Sequence, residues 1–349
     1  MPNAFVQTIR IGDRPVGDGA PCYVVAEIGS NHNHDFDLAR RTIDAAAAAG
    51  VDAVKFQTFR ADQHYSKKTP GFTYLDGRDT HSLIQSLELD RSWHAPLKEH
   101  AEGAGVAFFS SPCDLDAVAE LDALGTPAFK VASFDLPDAT LVQAMAATGK
   151  PVILSTGMAS WSDIQYAVGA ARDAGNEQIV LLQCTSLYPA PAGLSNLAAM
   201  ESMRGAFRCL TGYSDHTEGD HVCLAAVARG ACFIEKHFTL DRTLPGPDHS
   251  FAIEPEALSS MMRRLRDVEA AIGDGAKEGP RPEEQEMFEK GRRSLHAAVD
   301  IPACAAITEE MLTIKRPGLG VPPQHKGLVV GRNARVDIKA DQWITWDMI

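Results

Sequence analysis

The chain has 349 residues, 45% of them hydrophobic and 23% charged, the mix of a soluble globular protein with room for two domains or one large α/β domain with an appendage. A formal net charge of −13 repels polyanions, which argues against nucleic-acid binding. No apolar run approaches ~18 residues, so no membrane span is expected, and residues 1–21, with Asp13 and Asp18 and no apolar centre, do not read as a secretion signal.

Short apolar runs alternate with Ala-rich stretches of helical period through residue 272. Strands are expected at 22–28, 53–58, 106–110, 128–132, 152–156, 179–184, 209–213 and 232–237. Helices are expected between them, among others at 37–49, 91–104, 161–174, 218–229 and 255–272, several stopped by a glycine such as Gly50, Gly105, Gly175 or Gly230. Eight strand–helix units, most repeating at ~20–30 residues, count out a (β/α)8 TIM barrel. A doubly wound open sheet is the alternative, but it would normally use fewer units and a Gly-rich phosphate turn, and neither GxGxxG nor a Walker loop occurs.

One interval, 59–90, is too long for a simple connection and contains PGFTYLDGRDTHS, which reads as a lid or substrate-contacting loop. Residues 273–290 have the Gly, Pro and acidic content of a linker, with EEQE at 283–286 as a solvated face. The remaining 291–349 alternates short apolar pieces with turns and reads as a small β-rich domain. That domain carries +2 against −12 for 1–272, a contrast that suggests docking within or between chains. The seven cysteines form no CxxC pair and mostly sit in apolar runs, as buried free thiols of a cytoplasmic protein would.

In such a barrel chemistry sits at the C-terminal ends of the strands. Those ends carry Glu27; Lys55 and Gln57; Ser110 and Ser111; Lys130 and Ser133; Ser155 and Thr156; Thr185 and Ser186; Ser214, Asp215 and His216; Glu235 and His237. A polar rim accounts for the hydroxyls, but not easily for two lysines, two glutamates and two histidines ending apolar strands. Strand alternation puts Lys55 with Gln57 on one face and Glu235 with His237 on one face. A lysine pointing into a barrel mouth is costly unless it meets an anion. Lys55 and Lys130 with Ser111, Ser133, Ser155 and Ser214 therefore make a cradle for phosphate or carboxylate. His216 and His237 close neighbouring strands and can share one divalent metal, with Mn2+, Fe2+ or Zn2+ suited to such a site. His32 and His34 could add ligands, although a solvated loop explains them more simply. The turn Pro245-Gly246-Pro247-Asp248 presents Asp248 to the mouth.

The stretches AEIGSNH, VKFQT, FKVAS, ILSTGM, CTSLYP, GYSDHT, IEKHFTLDR, PGPDH and KRPGLG, in this order, resemble the sialic acid synthase family, including its pseudaminic, legionaminic and spore-coat polysaccharide relatives. The tail resembles the SAF, or antifreeze-like, domain of that family. The resemblance implies a transferase that condenses phosphoenolpyruvate with an open-chain N-acylated hexosamine, N-acetylmannosamine or a diacetamido-trideoxyhexose, to give a nine-carbon ulosonic acid and phosphate. It implies phosphoenolpyruvate against Lys55, Lys130, Ser111, Ser133, Ser155, Ser186 and Ser214. It implies the sugar against Glu27, Gln57, Tyr188 and Asp248. The metal on His216 and His237 would be Mn2+ first, with Zn2+, Fe2+, Co2+ or Mg2+ as alternatives, and would polarise the sugar aldehyde. Glu235 would carry a proton or support the metal, and Asp135 stands where the sialic branch commonly has a glutamate proton carrier. A domain-swapped homodimer is implied, with Arg316 reaching the partner's site. The sugar-facing positions are mixed: Ser110-Ser111-Pro112-Cys113, Ser186 and Asn31-His32-Asn33-His34 depart from the sialic branch.

Two other readings remain. Another phosphoenolpyruvate-condensing or aldolase-like barrel would need a basic cluster for a second phosphate, and none is evident in the sequence. A non-catalytic carbohydrate or metal binder would bind substrate without releasing phosphate.

Overall fold

Each of the eight apolar runs forms a strand, and the rows of side chains on its two faces meet different surroundings. The computed structural model describes residues 7–71 and 79–349, so part of the loop singled out in the sequence, 72–78, lies outside the described residues. The chain divides into two compact units, Met1–Gly273 and Asp274–Ile349.

The first unit begins with a hairpin, β1 (Thr8–Ile11) and β2 (Arg14–Gly17). Eight strands follow: β3 (Tyr23–Gly29), β4 (Ala53–Thr58), β5 (Ala107–Pro112), β6 (Phe129–Val131), β7 (Val152–Ser155), β8 (Ile179–Cys184), β9 (Leu210–Asp215) and β10 (Phe233–His237). They pair in parallel in the order β5-β4-β3-β10-β9-β8-β7-β6, and β5 lies beside β6, so the sheet is a nearly closed barrel. A helix follows each strand: Phe36–Ala49, His94–Gly103, Leu115–Ala123, Ala139–Ala147, Trp161–Asp173, Ala198–Phe207, His221–Ala228 and Pro255–Ile272. Four start on a side-chain cap, from Asp35, Asp114, Asp138 and Ser160, each accepting a first-turn amide hydrogen.

Outward-facing Val24, Val54, Phe108, Phe129, Val152 and Leu181 pack with helix residues such as Ile43, Leu97, Leu121 and Met261 in one core. Inward-facing Tyr23, Val25, Ala53, Phe109, Ile153, Val180, Leu210 and Phe233 form a second core with Ile9, Ile11 and Val16 of the hairpin. The hairpin supplies apolar packing to the lower barrel interior, and the inward positions farther along the strands are left to polar residues. This is why strands apolar in their bodies end in charged side chains.

The interval 59–90 holds short helices at Ala61–His64 and Thr80–Gln85, and His64, Tyr65, Leu83, Ile84 and Leu87 line the cavity at the mouth. Among the described residues no helix is long and apolar enough to cross a membrane. All seven cysteines are free; five are buried, Cys113 is half-buried and Cys304 exposed.

The second unit has its own core, including Leu295, Ile301, Ile307, Val321, Val329, Ile338 and Ile344. Strands β11 (Ser294–Ala297) and β12 (Leu312–Lys315) pair antiparallel, and single bridges join His296 to Trp343 and Ile301 to Ile338. The segment read as a linker is helical at its end, over Pro282–Glu284 and Gln285–Gly291, with Glu283, Glu284 and Glu286 exposed.

Candidate active site

Register builds the site. His237 pairs with Glu27 and Glu27 with Lys55 across β10, β3 and β4; Gln57 pairs with Ser111, and Glu235 with Ser214. Glu27, Lys55, Gln57, Ser111, Lys130, Ser133, Asp135, Ser155, Tyr188, Ser214, His216, Glu235, His237 and Asp248 all line one cavity. Ser186 is outside that lining, next to Gly157, and Arg316 is an exposed residue of the second unit, just after β12.

At the centre is a buried charge network. Lys55 Nζ lies 2.7 Å from Glu27 Oε2 and 3.7 Å from Glu235 Oε1, and it donates to Ser111 Oγ at 3.1 Å. Lys130 Nζ lies 3.8 Å from the same Glu235 oxygen and donates to the Val131 carbonyl at 3.0 Å. Gln57 donates to Glu27 Oε1 at 2.8 Å. Both lysines are only 2% exposed, which excludes a surface role for either. Burial raises Glu27 to about 7 against the opposing pull of Lys55. Burial also works against the Lys55 ammonium, but Glu235 and Glu27 outweigh it and hold Lys55 above the usual lysine range. Lys130, with Glu235 only partly offsetting burial and with Lys55 nearby, is lowered.

The hydroxyls divide into two kinds. Ser133 Oγ accepts the Gly157 amide hydrogen at 3.0 Å, and Ser214 donates to Glu235 at 3.5 Å. Ser155 Oγ and Ser186 Oγ are buried and make no hydrogen bond within the protein, and neither does Glu235 Oε2. Buried polar atoms are rarely left so, and those of Ser155 and Glu235, which line the cavity, are what a polar ligand would complete. Gly157 permits the arrangement: a Cβ there would fall 2.3 Å from Ser186 Oγ and 2.8 Å from Ser133 Oγ.

The two histidines meet with ring centroids 5.2 Å apart. His216 Nδ1 donates to the Thr185 carbonyl at 2.8 Å, which leaves Nε2 as a ligand atom. His237 Nδ1 is buried without a hydrogen bond and lies 3.6 Å from Asp248 Oδ2. Burial, then His216 and Lys55, push His237 well below the usual histidine range, so it is neutral, the form that ligates metal. Burial lifts Asp248 to about 6, against the pull of His216 and Lys55. Two imidazoles, one with its second nitrogen tied to a carbonyl, and a carboxylate beside the other fit a divalent ion of the Mn2+, Fe2+ or Zn2+ kind.

Some residues turn out differently from the sequence reading. Asp215 faces outward: its carboxylate accepts from Lys236 Nζ at 2.6 Å and from the Cys223 thiol at 3.1 Å. His32 is not on a solvated loop; it is 1% exposed, lies against Trp93 and Phe56, and burial lowers it to about 4. Sequence reasoning gave no site role to Gly157, His64 or Cys184 and named Cys113 only as a departure from the sialic branch, yet all four are at or beside the cavity. The ST-G of STGM after an apolar strand was the available sign for Gly157.

Known proteins share this two-unit architecture. Residues 42–277 match the NeuB family and residues 292–349 match the SAF domain. The chain is 40% identical to the N,N'-diacetyllegionaminic acid synthase of Campylobacter jejuni, covering 92% of this chain and 98% of that protein. It is 34% identical to the human N-acetylneuraminate-9-phosphate synthase, over 96% of this chain and 95% of the relative. A crystal structure of N-acetylneuraminic acid synthetase from Leptospira borgpetersenii, in complex with citrate, superposes with a TM-score of 0.74 at 34% identity, covering 81% of this chain and 95% of that one. With its family-matching barrel joined to a SAF domain, the chain belongs to the NeuB family.

Proposed function

We propose that this chain condenses phosphoenolpyruvate with an open-chain N-acylated hexosamine, N-acetylmannosamine or a diacetamido-trideoxyhexose, to give a nine-carbon ulosonic acid and phosphate. The observation that carries the reading is the anion cradle, in which two buried lysines line one cavity with Ser111, Ser133, Ser155 and Ser214, the Ser155 hydroxyl having no partner in the protein. The relatives' names supply the reaction class.

In this reading Lys55 and Lys130 offset the charge of phosphoenolpyruvate, and Ser111, Ser133, Ser155, Ser186 and Ser214 hydrogen-bond its oxygens. Gln57, Tyr188, Asp248 and Glu27 orient the sugar. His216 and His237 hold a divalent ion, Mn2+ first among the candidates, which when bound supplies Lewis-acid polarisation of the acceptor aldehyde. The enol carbon forms the new carbon–carbon bond to the aldehyde carbon as the carbonyl π pair moves to the aldehyde oxygen, which takes a proton, leaving a cationic carbon next to the phosphate. Water adds to that carbon and gives up a proton, and phosphate departs with its bridging oxygen as the added hydroxyl loses its second proton and becomes the ketone. Glu27, at about 7, is tuned to take and return a proton near neutral pH. Asp135, raised by burial, is the second carboxyl for proton transfer. Glu235, close to both ammonium groups, keeps them charged and spaced.

Arg316 belongs to the same reading as the partner subunit's contribution to the sugar site, in a homodimer that exchanges its small domains. The free thiols suit a reducing compartment, and we read the enzyme as cytoplasmic. The test is mass analysis of the product formed from phosphoenolpyruvate with each N-acylated hexosamine. A nine-carbon acid from one acceptor supports the reading. Binding of phosphoenolpyruvate with no product from any acceptor contradicts it.

A further inference from the structure

His64, Cys113 and Asp135 come from the segments that follow β4, β5 and β6, and they meet on one wall of the cavity. Cys113 Sγ lies 3.6 Å from Asp135 Oδ2, and His64 Nδ1 lies 3.8 Å from Asp135 Oδ1. One ligand atom from each, a sulfur, a nitrogen and an oxygen, lies within 4.8 Å of the other two. Among the described residues no other trio of His, Cys, Asp or Glu is gathered in this way. The His64 ring rests against Phe59 and Tyr65, with centroids 6.0 and 4.8 Å away, which limits its orientation.

Tetrahedral coordination with bonds of about 2.0 Å to nitrogen and oxygen and about 2.3 Å to sulfur sets ligand atoms roughly 3.3–3.6 Å apart. The spacings of 3.6 and 3.8 Å run to different oxygens of Asp135, and with one ligand atom from each residue within 4.8 Å of the others, binding draws the trio inward by up to about 1.5 Å. A sulfur donor also separates this trio from the His216–His237 pair in kind, because thiolates favour zinc-class ions over Mn2+ or Mg2+. We propose that His64, Cys113 and Asp135 form a second metal site, selective for thiophilic divalent ions such as Zn2+, with a fourth position open to the cavity. Binding displaces the thiol proton of Cys113 to solvent and ties up the Asp135 carboxylate. Zinc bound there inhibits turnover. That consequence rests on the function proposed above, whereas the site itself rests on the three side chains.

The test uses the full chain with His216 and His237 both changed to alanine, so that only the new site remains, and titrates it with Zn2+ and separately with Co2+. The expected result is one zinc per chain by equilibrium dialysis and a near-ultraviolet sulfur-to-cobalt charge-transfer band. Cys113→Ser abolishes the band and His64→Ala weakens zinc binding more than about tenfold, since loss of outer partners alone costs that much. Cys184→Ser and Cys304→Ser keep both signals. Unchanged zinc affinity in Cys113→Ser, or a band lost with Cys184 instead, overturns the site. In parallel, zinc is added to the Mn2+-loaded chain with both histidines intact, where inhibition that Cys113→Ser relieves is expected. A chain that binds the zinc but makes no product from any acceptor keeps the site and overturns the synthase reading.

Discussion

Glu27 and Lys55 are register partners on adjacent strands, and their charged atoms meet at 2.7 Å in a site where neither is more than 2% exposed. The pair sits within a larger set in which Lys55 also faces Glu235, so the ammonium separates two buried carboxylates. Removing it by Lys55→Met leaves both acids without that charge, and breaking a buried pair costs about 3–5 kcal/mol where the remaining group is ionised. Burial already raises Glu27 to about 7 with Lys55 opposing, so the variant's carboxyl lies higher still. A raised carboxyl keeps its proton in the folded chain where the unfolded chain has released it. Stability therefore falls as pH climbs from the ordinary carboxyl value of 4.5 through the folded one. Lys55→Met should lose more thermal stability relative to wild type at about pH 8 than at about pH 5.5. Equal losses at both would contradict this coupling.

Anion binding should move the same proton. A phosphoenolpyruvate anion beside Glu27 raises that carboxyl further above about 7, so the complex takes up a proton that the free enzyme had partly released. Calorimetry of phosphoenolpyruvate binding at about pH 7.5, in two buffers of different ionisation heat, should show fractional proton uptake. Glu27→Gln should abolish it.

The unpartnered hydroxyls make a prediction that separates stability from function. Ser155 Oγ makes no hydrogen bond in the protein, so Ser155→Ala should leave the melting temperature unchanged or slightly raised. The same change removes a hydrogen bond to a charged ligand, worth about 1.5–3 kcal/mol, and should weaken phosphoenolpyruvate binding about tenfold or more. Gly157→Ala should act in the same direction, because its methyl group would collide with Ser186 and Ser133. Tight binding by both variants would show that the cradle is not the anion site.

Arg316 tests the exchanged-domain arrangement. Arg316→Ala and Lys55→Ala should each be inactive alone. After subunits have exchanged in a mixture, a swapped dimer regenerates one intact site per mixed pair, or about a quarter of the wild-type activity. No recovery in demonstrably mixed dimers would contradict a site shared between chains.

Much of this was legible in the sequence because a barrel enforces period-two alternation, and a lysine sharing a strand face with Gln57 or leading to Ser133, as in AVKFQT and AFKVAS, points to an inward polar mouth. All eight strands were visible for that reason. The hairpin at the barrel floor was not, since Ile9, Ile11 and Val16 become core only by packing against Tyr23 and Phe233. Asp215 was assigned to the rim with its neighbours, but alternation turns it outward to a buried Lys236. The gathering of His64, Cys113 and Asp135 was invisible because they lie on three separate segments after β4, β5 and β6, whose approach depends on strand register.

The most direct measurement is phosphate release from phosphoenolpyruvate by metal-stripped protein, with and without added Mn2+, across a panel of N-acylated hexosamines. His216→Ala and His237→Ala run beside the wild type. The account predicts release that needs both the ion and one particular sugar, and folded histidine variants that release none. Release without the ion, or undiminished release by the double histidine variant, would contradict it.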